Sequence, residues 1–358
     1  MMTILPRHIP AMLALARQMN KPLMLWSPPG IGKTQMITSY AADAGLGLKK
    51  LLLSTKTPAD LGGLCALDHE TKTTVFYMPE FFPRDEASSG LIFFDELSAA
   101  DDPVRVAAYS IIQERRQGDY HVPAGWQIVA AGNRPEDGCP AFDMGRAMND
   151  RFMHVLVEAS ATDWLDWAMG AGIDATVSGF ISRNPHRLMP TDAEIQSGNT
   201  VLPSPRSWES VSRACQATSD EDLLQIAVAG LVGEIGANEF LAFRQEVASV
   251  AAVGTILATP TDDLGDVIPT TVGGLYTLMY AFVSIVEKSN VKAMFDVFGA
   301  FEALMDTPKF EALPMLDVQS LGMGMVIKKM LSQKGGGLID ISNHTAFKRY
   351  REREKNAA

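Results

Sequence analysis

The sequence predicts an α/β fold: a mostly parallel β-sheet with helices on both faces, followed by an all-helical part. Three observations carry this. A short apolar run, "PLMLW" at 22–26, leads directly into a glycine-rich turn and then a helical stretch. Two further runs, 91–94 and 127–131, read as strands buried on both faces, as parallel sheets require, and a helical pattern separates them. After about Glu158 the texture changes to helical patterns throughout.

Taken in order, "TQMITSYAADAG" continues the glycine turn as a helix that stops at Gly45, and "LKKLLLST" reads as a second strand. "TPADLGGLC" is rich in turn formers and reads as a loop. Residues 68–86, "DHETKTTVFYMPEFFPRDE", read as a polar hairpin with an aromatic, proline-rich tip. The run "LIFF" then ends in Asp95 and Glu96, and "DPVRVAAYSIIQERRQG" is a helix with Pro103 in its first turn and Gly118 past its end. "DYHVPAGWQIVAAGN" offers a hairpin turn at 123–125 and a buried strand ending at Asn133. Four helical patterns follow, with "NPHRLMPTDAEIQSGNTVLPSP" as a long connecting loop. "TPTDDLGDVIPTT" marks a further boundary, "QKGGGLIDIS" a hinge, and "FKRYREREKNAA" a charged tail expected to be poorly ordered or dependent on a partner. The expected division is 1–158, an α/β core; 159–258, a helical domain; and 259–358, a helical extension with the tail.

Composition narrows the function. With 47% apolar and 20% charged residues the chain reads as globular. A net charge of −11 argues against a general grip on nucleic acid or anionic membrane, both of which need clustered Lys and Arg. Cys65, Cys139 and Cys215 are too few and too scattered for a disulfide framework or a Cys-based zinc site, and a reducing cytosol suits them. The N-terminal stretch lacks a secretory pattern, which adds to the expectation of a cytoplasmic protein. The most apolar segment, 270–286, is interrupted by Gly273, Gly274 and polar residues, so it reads as a buried helix and no membrane is expected. His69, His121 and His154 have no ligand-like spacing and read as structural.

The chemistry concentrates in five places. "WSPPGIGKTQ" nearly matches the phosphate-loop pattern, but Ser27 stands where that pattern has Gly. The parts that phosphate binding needs are present: Pro29, Gly30, Ile31, Gly32, Lys33, Thr34 and Gln35 form the loop, Lys33 can reach terminal phosphates, and Thr34 can hold Mg²⁺. Read by itself the loop could also be an ordinary strand-to-helix turn. Second, Asp95 and Glu96 end an apolar strand where such sheets bind ligands; Asp95 suits Mg²⁺ and Glu96 the attacking water, while a helix cap is the plainer reading. Third, Asn133 at the tip of the next strand can bond that water or the γ-phosphate, or simply cap a turn. Fourth, Arg151 in "MNDRFMHV" could stabilise charge on a neighbouring subunit's nucleotide, or be solvated. Fifth, Arg206 sits in the first turn of a helix in "LPSPRSWESV", from where it could reach the γ-phosphate.

In this order, "SPPGIGKTQ … PADLGGL … LIFFDEL … GDYHVPAGWQIVAAGN … NDRF … SPRSWE" resembles the MoxR branch of AAA+ ATPases, near the CbbQ/NorQ group, over about residues 5 to 250. The resemblance implies an AAA+ P-loop NTPase core with a parallel sheet, an all-helical lid and a helical C-terminal extension. It assigns Lys33 and Thr34 to Walker A, Asp95 and Glu96 to Walker B, Asn133 to sensor 1, Arg151 to the arginine finger and Arg206 to sensor 2; Arg146, Arg115 or Arg116 could be the finger instead. It implies ATP and Mg²⁺ as cofactors and a homo-oligomeric ring, expected to be hexameric. The implied role is chaperone-like remodelling or activation of a protein client, often with a von Willebrand factor A-type partner. The family carries hairpin insertions, and Tyr77, Phe81 and Phe82 are candidates for gripping a client, or for plain packing. The alternative reading is an AAA+ motor acting on nucleic acid.

Overall fold

A computed structural model describes residues 1–357 except 138, 140, 141, 143, 249–251 and 333–340. The chain forms two compact units, Met1–Ser160 and Ala161–Ala358. The first contains β1 (Thr3–Ile4), α1 (Ile9–Gln18), β2 (Leu23–Trp26), α2 (Lys33–Asp43), β3 (Gly47–Leu52), α3 (Pro58–Gly62), β4 (Leu64–Asp68), β5 (Thr73–Tyr77), β6 (Gly90–Asp95), α4 (Asp102–Glu114), β7 (Arg116–Gln117), β8 (Tyr120–His121), β9 (Trp126–Gly132), α5 (Gly145–Asn149) and β10 (Met153–Val157). The second is helical among its described residues: α6 (Ala161–Ala171), α7 (Ala175–Arg183), α8 (Asp192–Gln196), α9 (Pro205–Ala217), α10 (Glu221–Val247), α11 (Val253–Ala258), α12 (Val272–Ile285), α13 (Val291–Leu304), α14 (Met315–Ser332) and α15 (Thr345–Ala357).

Six strands form one sheet in the order β1-β10-β2-β9-β6-β3, and every adjacent pair is parallel. Successive residues of a strand point to opposite faces, and here both faces are apolar. Leu23, Leu25, Leu91, Phe93, Val129 and Ala131 pack with Ile9 and Leu13 of α1 and Ile37 and Ala41 of α2. Met24, Ile92, Phe94, Ile128 and Ala130 pack with Leu61 of α3 and Val104, Ala108 and Ile111 of α4. The strand order reverses at β2, and the glycine loop stands at that strand's carboxyl end, the place where doubly wound parallel sheets bind ligands.

Several sequence expectations change. The segment read as a loop at 57–65 contains α3, where Pro58 opens the helix and Thr57 and Asp60 cap each other reciprocally. The first hairpin strand is β4, so the turn lies at 69–72 and the aromatic, proline-rich residues follow the hairpin instead of forming its tip. Phe82 is buried in the core, whereas Leu64, Leu67, Phe76 and Tyr77 are exposed. The second hairpin turns at Gly118, between β7 and β8, and 123–125 is the turn into β9. The helix before it ends at Arg115, whose backbone is left-handed at φ 54° and whose guanidinium donates to the Pro123 and Trp126 carbonyls at 2.9 and 2.7 Å. β1, α1 and β10 were not anticipated.

In the second unit, Leu275, Leu278 and Phe282 of α12 are fully buried against α13 and α14. α10 has the length and apolar composition of a membrane-crossing helix, but Gly233 breaks it and it packs on α7, α9 and α12. Ion pairs fix it: Arg187 to Glu239, Arg183 to Glu246 and Arg244 to Glu221. The region expected to be one long loop contains α8, capped by Thr191. The charged tail is not a loose end: α15 packs Ala346, Phe347 and Tyr350 onto the helical core, and Arg349 and Arg353 both pair with Glu302. The expected hinge at 333–342 lies largely outside the described residues.

Trp126 spans the start of three neighbouring strands, because Gly47, Gly90 and Trp126 lie side by side in the sheet. A Cβ on Gly90 would stand 2.4 Å from the Gly47 carbonyl oxygen and 2.6 Å from the indole. Neither the backbone nor the indole, whose Nε1 is tied to Ser88 Oγ at 2.8 Å, is a flexible side-chain end. Gly90→Ala is therefore expected to destabilise the first unit by about 1–3 kcal/mol, read as a lowered unfolding temperature in calorimetry.

Candidate functional site

The carboxyl ends of β2, β6 and β9 bring the sequence-predicted residues of the first unit together. Trp26 pairs with Gly132, and the Ser27 amide donates to the Gly132 carbonyl at 3.3 Å, extending the pairing of β2 and β9 by one step. Gly30 and Gly32 then take left-handed φ values of 75° and 96°, and α2 begins at Lys33. Only glycine adopts such angles without cost, and the result aims a helix N-terminus and its amides at the sheet edge, a favourable place for phosphate. Pro29 and Gln35 are exposed on this loop and Ile31 is buried beneath it.

The Lys33 ammonium donates to Asn133 Oδ1 at 2.7 Å, to Ser27 Oγ at 2.8 Å and to the Ser27 carbonyl at 3.2 Å. Ser27 is completely buried and its own hydroxyl proton goes to the Pro28 carbonyl at 2.8 Å, so its lone pairs face Lys33. The residue that departs from the phosphate-loop pattern thus serves as an acceptor for the lysine. Asn133 is held by its backbone: Ser98 Oγ donates to its carbonyl at 3.0 Å and accepts from its N–H at 3.1 Å. A Cβ on Gly132 would stand 2.6 Å from that same Ser98 oxygen, which makes glycine at this position part of the clamp.

Thr34 Oγ1 donates to Asp95 Oδ2 at 2.5 Å, and Lys50 Nζ lies 3.8 Å from the same oxygen. A hydroxyl and a carboxylate in contact are the hard oxygen donors that suit Mg²⁺, which usually takes only one or two protein ligands plus substrate phosphates. Among the described residues no group of three or more His, Cys, Asp and Glu could hold a metal, so a cation here would rest on Thr34, Asp95 and the phosphates.

Glu96 has left-handed backbone angles, φ 56° and ψ 37°, which cost a non-glycine residue roughly 1–2 kcal/mol. Such strain is concentrated where geometry serves a function: here it turns the Glu96 side chain away from the core that Asp95 abuts. The carboxylate accepts from Ser54 Oγ at 2.5 Å, just past the end of β3. Ser54, Ser98 and Lys50 were missed by sequence reasoning, since single serines and lysines carry no spacing signal, and Ser27 stood out only as a departure from the pattern.

Of the arginines, Arg151 follows α5, pairs with Asp150 at 3.4 Å and lies 5.8 Å from the centre of the Tyr109 ring. Arg146 is exposed on α5, and Arg116 pairs with Glu114 at 2.7 Å. Arg115 is tied into the turn before β9, and burial holds its pKa below the ordinary guanidinium value. Arg206 belongs to the second unit, exposed in the first turn of α9, which Ser204 caps. Burial and then the charge of Asp137 push the Cys139 thiol up, and burial pushes Cys215 up to about 12, so neither offers a thiolate nucleophile at neutral pH.

No family model matches the chain. It is 23% identical over 213 residues to midasin of Giardia intestinalis, covering 57% of this chain and 4% of midasin. It is 32% identical over 148 residues to the human ATPase family gene 2 protein homolog B, covering 38% of this chain and 18% of that protein. The chain thus spans a small fraction of the curated relatives it matches. Among solved structures, Thermotoga maritima RuvB, a Holliday junction branch migration motor, aligns at a TM-score of 0.36 with 14% identity, covering 73% of this chain and 80% of that one. NtrX of Brucella abortus in complex with ADP aligns at 0.38 with 10% identity, covering 89% and 68%.

Two expected outcomes follow from the contacts of the acidic pair. Ser54→Ala removes the bond that anchors Glu96; a bond to a charged group contributes about 1.5–3 kcal/mol. Under the function proposed below, steady-state ATP hydrolysis by the variant is expected to rise by a few-fold while nucleotide affinity, read by equilibrium titration, stays within twofold.

Proposed function

We propose that this chain is an ATP-hydrolysing AAA+ ATPase of the MoxR type that works in a homo-oligomeric, expectedly hexameric, ring and acts mechanically on a partner protein in the cytoplasm. The observation that carries the ATPase reading is the convergence of Lys33, Thr34, Asp95, Glu96 and Asn133 at the carboxyl ends of three adjacent parallel strands, within hydrogen-bond reach of one another or of a shared neighbour. In this reading Lys33 and the α2 N-terminus bind the β- and γ-phosphates of ATP, and Thr34 and Asp95 hold the Mg²⁺, whose charge would offset that of the phosphates. Glu96 accepts the proton of the attacking water and Asn133 orients it. The requirement for a ring comes from Arg151, which has no role in its own site and whose planar charge suits a transferring phosphoryl group in the neighbour's. Residues 159–258 act as lid, with Arg206 as its contribution to the γ-phosphate, and 259–358 extend it.

A protein client is favoured over nucleic acid by the acidic balance of −11 and by the β4–β5 hairpin, which exposes Leu64, Leu67, Phe76 and Tyr77 to solvent. An apolar ribbon can grip an unfolded or partly opened polypeptide, whereas a nucleic-acid motor needs a basic track. A von Willebrand factor A-type protein is the partner class the resemblance points to.

Lys33→Ala is expected to abolish ATP binding in a folded protein, and Glu96→Gln to keep binding and lose turnover, both read by isothermal titration and phosphate release. Equal loss of affinity in Glu96→Gln and Asp95→Ala would require the carboxylate roles to be exchanged. The Glu96→Gln chain with Mg²⁺-ATP, used as a trap and followed by mass spectrometry of what it retains, identifies the client. Stimulation of the wild-type ATPase by DNA, with a steep loss in salt, would instead support the nucleic-acid reading.

A further inference from the structure

Trp26 is the last residue of β2, immediately ahead of the phosphate loop, and its indole Nε1–H donates to Nδ1 of His154 on β10 at 2.9 Å. An indole can only donate, so Nδ1 is unprotonated and the ring's proton sits on Nε2. Nε2 lies 2.7 Å from the carbonyl of Asn149, which can only accept. The neutral Nε2–H form therefore satisfies both contacts at once. The two aromatic planes are within 13° of parallel, and Phe152 meets the imidazole edge-on. Asn149 ends α5, two residues before Arg151, and the same turn is fixed by the Arg151 amide donating to the Met148 carbonyl at 3.1 Å. On the other side of Trp26, the Ser27 oxygens hold the Lys33 ammonium.

One imidazole thus joins two segments that are far apart in sequence and different in purpose: the strand end that sets the phosphate loop, and the turn that carries Arg151. A second tether, Lys21 Nζ to the Asp150 carbonyl at 3.2 Å, is exposed and held by a long flexible side chain, so it limits the turn less. We propose that His154 is a positioning residue that couples the phosphate loop of one protomer to the Arg151 that the same protomer presents to its neighbour. A shift of the loop when phosphate replaces the acceptors of Lys33 passes through Trp26 and the imidazole to the α5 turn. This rests on the reading of Arg151 as acting in trans.

The test uses the full chain and four variants. His154→Phe keeps a ring of similar size and loses both hydrogen bonds. It is expected to bind ATP within about threefold of wild type and to lose roughly 10- to 100-fold in kcat, the scale of a small misplacement of a catalytic group. His154→Gln, whose amide can still donate to the Asn149 carbonyl, is expected to recover part of that loss; it also serves if His154→Phe does not fold. The decisive readout is mixing with Glu96→Gln, in mixtures shown by native mass spectrometry to exchange subunits. A His154→Phe protomer has an intact Glu96 and can receive Arg151 from a Glu96→Gln neighbour with an intact His154, so activity returns. A merely structural defect would damage the variant's own loop and would not be repaired by a neighbour. Arg151→Ala mixed with Glu96→Gln is the reference. Recovery there but not with His154→Phe, or wild-type kcat in His154→Phe alone, overturns the coupling role only; no recovery in either mixture overturns the trans arginine and the coupling with it.

Discussion

Burial of β2, β6 and β9 on both faces decides where this unit can place polar chemistry. Apart from Gln127, whose amide donates to the Leu13 carbonyl, the side chains along these strands ahead of their carboxyl ends enter one of two apolar layers, so a charge along their length would be desolvated without a partner. The first positions free of that constraint are the strand ends. Ser27, Asp95 and Asn133 emerge there, and because the strands are parallel and in register they emerge on the same edge. The site is thus a consequence of how the core is packed, and the left-handed turns at Gly30, Gly32 and Glu96 are the local adjustments that bring loop and carboxylate onto it.

The arginines follow a different logic. Arg115 is used up in holding a turn, and its half-buried guanidinium bonds the neutral oxygens of Asn20, Pro123 and Trp126. Arg187 is likewise committed, bridging Glu194 and Glu239 while its carbonyl receives the Trp208 indole proton at 2.7 Å. Arg151 differs in being held only loosely, by an exposed Asp150 and the face of Tyr109, contacts that contribute little in water and can be exchanged for a stronger anion.

What was legible in the sequence was whatever is contiguous. The glycine loop, the Asp95–Glu96 pair and the strand leading to Asn133 each announce themselves within a few residues, and together they specify the sheet edge. β10 and β1 were not legible because they are short, lie at or near the open side of the sheet, and in β10 the pattern "MHVLV" carries at its second position a histidine whose partner, Trp26, is 128 residues away. The tail misled for a related reason. Its charges suggest a solvated coil, yet Arg349 and Arg353 converge on Glu302, and Arg353 also reaches the buried Gln319 at 2.5 Å, contacts that no local window contains. Ser27 was seen only as a departure from a pattern; its role as acceptor depends on the lysine folding back over it.

Under the proposed function, that fold-back makes phosphate binding an exchange. Lys33 bonds Ser27 and Asn133, Thr34 bonds Asp95 and Glu96 accepts from Ser54, so each of these groups has a protein partner that a phosphate or its metal would have to displace. Arriving phosphates gain only the difference between the contacts they form and those they displace, and departing ones leave behind groups that satisfy each other at once. Under the proposed function, affinity is held down in this way so that each turnover can end.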